Sequence, residues 1–263
     1  MNISPIENVS FKDIINNIDN YYNLFLKNGL IFFKNANVSP DEQQKISNEL
    51  AKKIKCNYVA PIDYEDHSFT FKKNNKIYSK NDLFIPWHLE HCEKPFSQVA
   101  TSWNMVHLSS DYGIGDTGFV NSYELFNRMP YEWKELLNQS YIIDHNKNFP
   151  ARKCIQKHFF KNQNIIKLSP NKEDKLYSVN NQLPSDKNSK LFLEITNWYL
   201  NETANNTDLQ VWWHWSEGDL LIVDLSLMAH AVKGGFTLGE RVITRNWIFK
   251  EESDYLNQKE HNE

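Results

Sequence analysis

The sequence predicts a mainly β fold, a double-sheet jelly roll with flanking helices packed outside it, formed by one domain over residues 1–263. Three observations lead there. Many short apolar or alternating runs are separated by turn-forming residues, helical spacing is confined to a few stretches, and no segment repeats. With 40% hydrophobic and 14% aromatic residues, the 263-residue chain can fill one large core.

In chain order, residues 11–28 carry apolar side chains near helical spacing and stop at Gly29, and Leu30-Ile31-Phe32-Phe33 follows as a buried strand. Ser39-Pro40-Asp41-Glu42 supplies an N-cap, a first-turn proline and early acids for a second helix reaching about Ile54. Both helices are expected to cover a sheet. Residues 57–84 loosen into a long excursion with a hairpin expected near Asn74-Asn75. Strands are expected over Gln98–Val106 and Gly118–Asn121, then a helical piece over Glu124–Leu137 broken at Pro130. Two β-like runs within 151–169 flank residues 161–164, and 170–190 reads as loop. A helix near 189–203 precedes strands at Leu209–Trp215, Asp219–Val223 and Glu240–Phe249.

Composition excludes several classes. A formal net charge of −4, with lysines scattered among acids, offers no basic face to nucleic acid. The first residues, MNISPIENVSFKDI, lack a basic segment followed by an apolar one, and no apolar run approaches the roughly 18 residues of a membrane span. The expectation is a cytoplasmic protein without nucleic-acid or membrane partners; a homo-oligomer is left open. Cys56, Cys92 and Cys154 are odd in number and far apart, so reduced thiols are expected rather than a disulfide framework.

Residues 85–96 read IPWHLEHCEKPF. On an extended chain His88 and Glu90, at i and i+2, point one way while Trp87, Leu89 and His91 point the other, so two ligand-type groups converge. A lone H-x-E is most often a solvated turn, and the rest of the chain changes that weighting. In SEGDLLIVDLSLMAHAVKGG a core strand leads through a short polar turn to His230. With His88 and Glu90 it completes a two-histidine, one-carboxylate set with a short first gap and a long second one, which suits an open non-haem Fe(II) site. In ERVITRNWIF, Arg241, Ile243, Arg245, Trp247 and Phe249 share one strand face. Four residues of strand span ~13 Å, so the two guanidinium groups are expected to serve two different acids.

Together these residues resemble the TauD/TfdA family of Fe(II)/2-oxoglutarate-dependent dioxygenases. The resemblance runs in order through GLIFFKN, WHLE, GDTGFVNS, WSEGDLLIVD with the following His-Ala, and R-x-x-x-R. It implies a double-stranded β-helix, with His88, Glu90 and His230 as catalytic iron ligands, Thr117 and Arg241 holding the distal carboxylate of 2-oxoglutarate, and Arg245 meeting an acidic group of the prime substrate. Many members have aspartate where Glu90 stands; a clavaminate-synthase-like branch uses glutamate.

The implied reaction consumes O2 and 2-oxoglutarate, releases succinate, and hydroxylates or desaturates a small carboxylate-bearing metabolite, an amino acid or an amino-acid-derived intermediate of secondary metabolism. Oxidative cleavage of a sulfonate or aryloxy acid is the alternative within the family. A halogenase is disfavoured, because such relatives leave the position of Glu90 without a carboxylate. A non-catalytic metal-binding jelly roll is the alternative of another class. Residues 57–84 and 145–190 are expected to select the substrate.

Overall fold

The computed structural model describes residues 3–68, 78–90, 98–109, 114–143, 151–168, 175–178 and 186–260. The hairpin expected near Asn74-Asn75, together with His91 and Cys92, lies outside the described residues.

Two sheets face each other. The larger runs β1 (Ile6–Glu7), β2 (Leu30–Lys34), β14 (Leu220–Asp224), β6 (Gln98–Leu108), β16 (Arg241–Phe249), β3 (Tyr58–Val59), and β4 (Asp63–Glu65) also pairs with β16. The smaller runs β13 (Gln210–Trp213), β7 (Thr117–Asn121), β15 (Met228–Lys233), β5 (Leu83–His88). Beside them lie β8 (Ser140–Ile143) between β9 (Arg152–Lys153) and β12 (Lys175–Ser178), and the pair β10 (Ile155–Lys157) and β11 (Asn164–Ile166). This is the jelly roll the sequence predicts.

Strand parity explains the layering. In β2, Leu30 and Phe32 turn into the gap between the sheets, where they meet Trp103, Phe119 and Trp213, while Ile31 and Phe33 turn outward beneath the N-terminal helices. In β14, Leu221 and Val223 face inward, and Leu220 and Ile222 face outward. Both faces are covered, so these strands read as unbroken apolar runs rather than alternating ones. The outer face of the smaller sheet, with Trp87, Val120, Ala229 and Ala231, packs on the helices Ser122–Arg128, Tyr131–Asn138 and Asp186–Asn205.

The helix expected over 11–28 is two. α1 (Phe11–Asn16) opens on a Ser10/Asp13 capping box and ends at Asn17, and α2 (Ile18–Asn28) ends on Gly29 in the left-handed region (φ 74°). α3 (Pro40–Lys53) starts at the Ser39/Glu42 capping box with its first-turn proline, as the sequence predicts. Three further departures concern strands. The turn after β14 leads to His230 as expected, but His230 lies within a further strand, β15, that the sequence reading does not include. The excursion contains β3 and β4, short strands that pattern alone does not separate from loop, and 170–190 contains β12, paired with β8. The helix expected from 189 begins at Asp186. No helix among the described residues is long and apolar enough to cross a membrane.

Candidate active site

β5 ends at His88, and the alternation continues one step past it. Trp87 and Leu89 are buried in the outer cluster, so His88 and Glu90 turn toward the gap between the sheets. On β15, Ala229 and Ala231 pack outward, which turns His230 the same way. His230 is the antiparallel register partner of His88 on one side and of Phe119 on the other.

The three side chains meet. Each offers a ligand-type atom, and these atoms all lie within 4.8 Å of one another. Glu90 Oε2 is 3.5 Å from His88 Nε2 and 3.6 Å from His230 Nε2, and the two imidazole centroids are 4.1 Å apart. His88 Nδ1 lies 2.8 Å from the Pro86 carbonyl oxygen. A carbonyl only accepts, so Nδ1 carries a proton, as it must in a histidine that binds a metal through Nε2. His230 is buried with its ring edge-on to Trp103, centroids 5.3 Å apart. Burial, and then the neighbouring His88, push its pKa down to about 3, which keeps it an uncharged donor at neutral pH. Two imidazoles and a carboxylate grouped on one side of a cation leave other positions open, and this donor set suits non-haem Fe(II).

Arg241 enters the same space from β16. It is the largest fully buried side chain among the described residues, and Trp215 and Phe236 each lie 5.7 Å from its guanidinium carbon. Its Nε donates to the Gly115 carbonyl at 3.1 Å, Nη2 to Thr117 Oγ1 at 3.3 Å, and Nη1 to His67 Nε2. These partners are all neutral. Burial lowers its pKa to about 10, so at pH 7 it is a buried cation, and among the described residues no carboxylate forms an ion pair with it. Gly115 has φ 66°, and a Cβ there would stand 2.6 Å from Arg241 Cδ, so only glycine gives the guanidinium its path. Thr117 Oγ1 also accepts from Trp215 Nε1 at 2.9 Å. With two donors on its oxygen, the Thr117 hydroxyl proton is left to donate.

Arg245 lies four residues along the same strand, with Trp247 5.0 Å beneath its guanidinium. It is already engaged. Asp63 Oδ2 accepts from Nε at 3.0 Å and Nη2 at 2.8 Å, and Glu65 Oε2 is 3.0 Å from Nη2. The β4–β16 register sets this up by placing Asp63 opposite Arg245 and Glu65 opposite Ile243.

All six residues singled out in the sequence line one cavity of about 220 Å³, with Ile243 and Trp247 on its wall. Phe249 does not join them; after a register shift between Ile248 and Phe249 it packs on Tyr58 and Tyr255. Glu65, His67 and Trp103 also line the cavity, and the sequence reading did not identify them. The only pointer was that the excursion over 57–84 borders the site. Of the tryptophans near 212, Trp213 stacks on Phe32 in the core, centroids 4.4 Å apart, and Trp212 packs against Trp87 on the outer side.

The family model described as "Taurine catabolism dioxygenase TauD, TfdA family" matches residues 4–247. No curated protein sequence matches. Among solved structures, a taurine dioxygenase from Burkholderia xenovorans is similar with a TM-score of 0.67 at 13% identity, covering 90% of this chain and 82% of that one. AAD-2 in complex with Mn(II) and N-oxalylglycine is similar with a TM-score of 0.61 at 14% identity, covering 89% of this chain and 87% of that one. At these identities the likeness shows the fold.

Proposed function

Since the chain belongs to the TauD, TfdA family and is an Fe(II)- and 2-oxoglutarate-dependent dioxygenase, we propose that it hydroxylates or desaturates a small carboxylate-bearing metabolite, an amino acid or amino-acid-derived intermediate. The observation behind this reading is a second guanidinium, Arg245, opening onto the cavity that holds the His88, Glu90 and His230 donor set.

Held by His88, Glu90 and His230, Fe(II) with 2-oxoglutarate and O2 supplies the oxidation, with decarboxylation of the co-substrate to succinate. The protein's own residues do the rest. Arg241 is a preformed buried cation, and with the Thr117 hydroxyl it receives the distal carboxylate of 2-oxoglutarate. The Pro86 carbonyl fixes the His88 tautomer, and Trp103 packs against the ring of His230. Ile85, Val232, Ile243 and Trp247 give the cavity apolar walls that limit water around the reacting carbon. Arg245 receives the acid of the prime substrate, which fixes the carbon presented to the metal.

Oxidative cleavage of a sulfonate is a second reading, favoured by the description of the matching family. One screen tests both. Purified enzyme with Fe(II), 2-oxoglutarate and O2 is offered free and modified amino acids, sulfonates and aryloxy acids, and succinate and product mass are followed. Gain of one oxygen atom or loss of two hydrogens on a carboxylate substrate is the expected result. Sulfite release establishes the second reading, and no response to any acid overturns both.

A further inference from the structure

We propose that Glu65 and Arg245 together read the two charges of a zwitterionic substrate, Arg245 taking its acid group and Glu65 a protonated amine on a neighbouring carbon. This rests on the reading of Arg245 given above.

The Arg245 guanidinium stands between two carboxylates, Asp63 at 2.8 Å and Glu65 at 3.0 Å from the same Nη2. Asp63 alone supplies a full countercharge, through Oδ2 bonded to both Nε and Nη2, and its side chain is 51% exposed. Asp63 therefore satisfies Arg245 by itself, and Glu65, which also acts electrostatically on the buried Arg241, is left facing the cavity. Against a purely anionic ligand docking on that arginine it would act as a like charge at close range. Against a ligand that also brings a cation, it becomes the complementary group.

The position of Glu65 supports the second role. It lines the cavity whereas Asp63 does not, and the other carboxylate on the cavity wall among the described residues is Glu90, which belongs to the metal donor set. Glu65 is also held in place. Its Oε1 accepts from the His67 backbone N–H at 2.7 Å, at a residue whose φ is 63°, so the turn after β4 clamps the carboxylate. An ionised carboxylate has lone-pair capacity for a further donor on each oxygen. Because Glu65 Oε2 and Arg245 Nη2 are only 3.0 Å apart, the acid and amine they bind must also be close together. α-Amino acids and β-aminosulfonates meet that condition; aryloxy acids and simple fatty acids, which lack the amine, do not.

The test uses matched pairs: L-amino acids and taurine, each against the same skeleton with hydrogen in place of the amine, such as L-leucine against 4-methylpentanoate. The readout is acceleration of succinate formation by the full-length enzyme with Fe(II) and 2-oxoglutarate. Some amine-bearing acid should be preferred over its partner by about tenfold or more, and Glu65→Gln should collapse that preference to within about threefold, with far-UV dichroism unchanged. Glu65→Asp, which keeps the charge, should retain part of it. The proposal is overturned if deaminated partners respond as well as their amines in the wild type. It is also overturned if no amine-bearing acid responds, or if Glu65→Gln weakens both members of each pair alike. Deaminated acids that respond, and lose their response in Arg245→Gln, would leave the reading of Arg245 standing and remove only the amine; silence from every acid would remove both.

Discussion

The guanidinium of Arg241 donates to Nε2 of His67, and because an arginine cannot accept, the imidazole must be the acceptor. The two form a cation–neutral pair, so among the described residues the charge of Arg241 is met only at a distance, by Glu65 and Asp116. Arg241→Lys keeps the charge but loses the planar fork that reaches Gly115, Thr117 and His67 at once. The half-saturating 2-oxoglutarate concentration should rise by roughly tenfold or more. Succinate formation titrated against 2-oxoglutarate checks this; an unchanged curve would remove Arg241 from the co-substrate site.

His88→Ala, Glu90→Ala and His230→Ala should each abolish turnover with the fold retained, because these side chains face a cavity and provide donor atoms more than core volume. Succinate production, far-UV dichroism and the visible absorption formed anaerobically by Fe(II) with 2-oxoglutarate are measured together. Full activity in any one variant would exclude that residue from the donor set.

Arg245→Gln should weaken the prime substrate and leave 2-oxoglutarate binding in its absence near wild type. Its side chain is 25% exposed and already paired, so the loss should lie toward the low end of the range for a broken ionic contact, about 2 kcal/mol, or roughly thirtyfold in affinity. Equilibrium titration with each ligand separates the outcomes. A variant that loses 2-oxoglutarate instead would reverse the assignment of the two arginines.

Gly118→Ala should destabilise the protein. The added Cβ would stand 2.7 Å from Trp87 Cη2 and 2.8 Å from Trp212 Cη2, two indoles packed against each other with centroids 5.4 Å apart. Overpacking of this kind costs about 1–3 kcal/mol. For a chain of this size, thermal denaturation should fall by several degrees, roughly 2–4 °C per kcal/mol.

His230 and His67 are both held neutral, chiefly by burial; for His67 the neighbouring Arg241 adds to the effect. Unfolded, each titrates near the ordinary 6.5. The unfolded state therefore takes up protons first, stability is complete above that pH, and it falls as the pH drops, for His230 until about pH 3. Between pH 6.5 and 5 the urea midpoint of the metal-free protein should fall steadily, and His67→Gln should flatten the slope.

What the sequence revealed was whatever depends on short-range parity. His88 with Glu90, and Arg241 with Arg245, converge because side chains two or four apart on extended chain share a face, and both pairs line the cavity. His230 was found by its residue type and its place after a core strand, although its own strand β15 was not foreseen: LMAHAV carries small residues where a typical strand carries β-branched ones. Glu65 and His67 escaped notice because their placement follows from a three-residue strand pairing with β16, a long-range register that no local pattern encodes.

Among the described residues the smaller sheet ends at β5, whose pairing with β15 is interrupted twice, between His230 and Val232 and between Val232 and Lys233. Two of the three candidate metal donors sit on or just past this strand and the third on its neighbour. An ion bound there would clasp an imperfectly laced border to the interior of the sheet, so its binding free energy would go into local cohesion as well as chemistry. The chelated and loaded forms should differ most in amide exchange over residues 83–88, where a border free to fray becomes a seam.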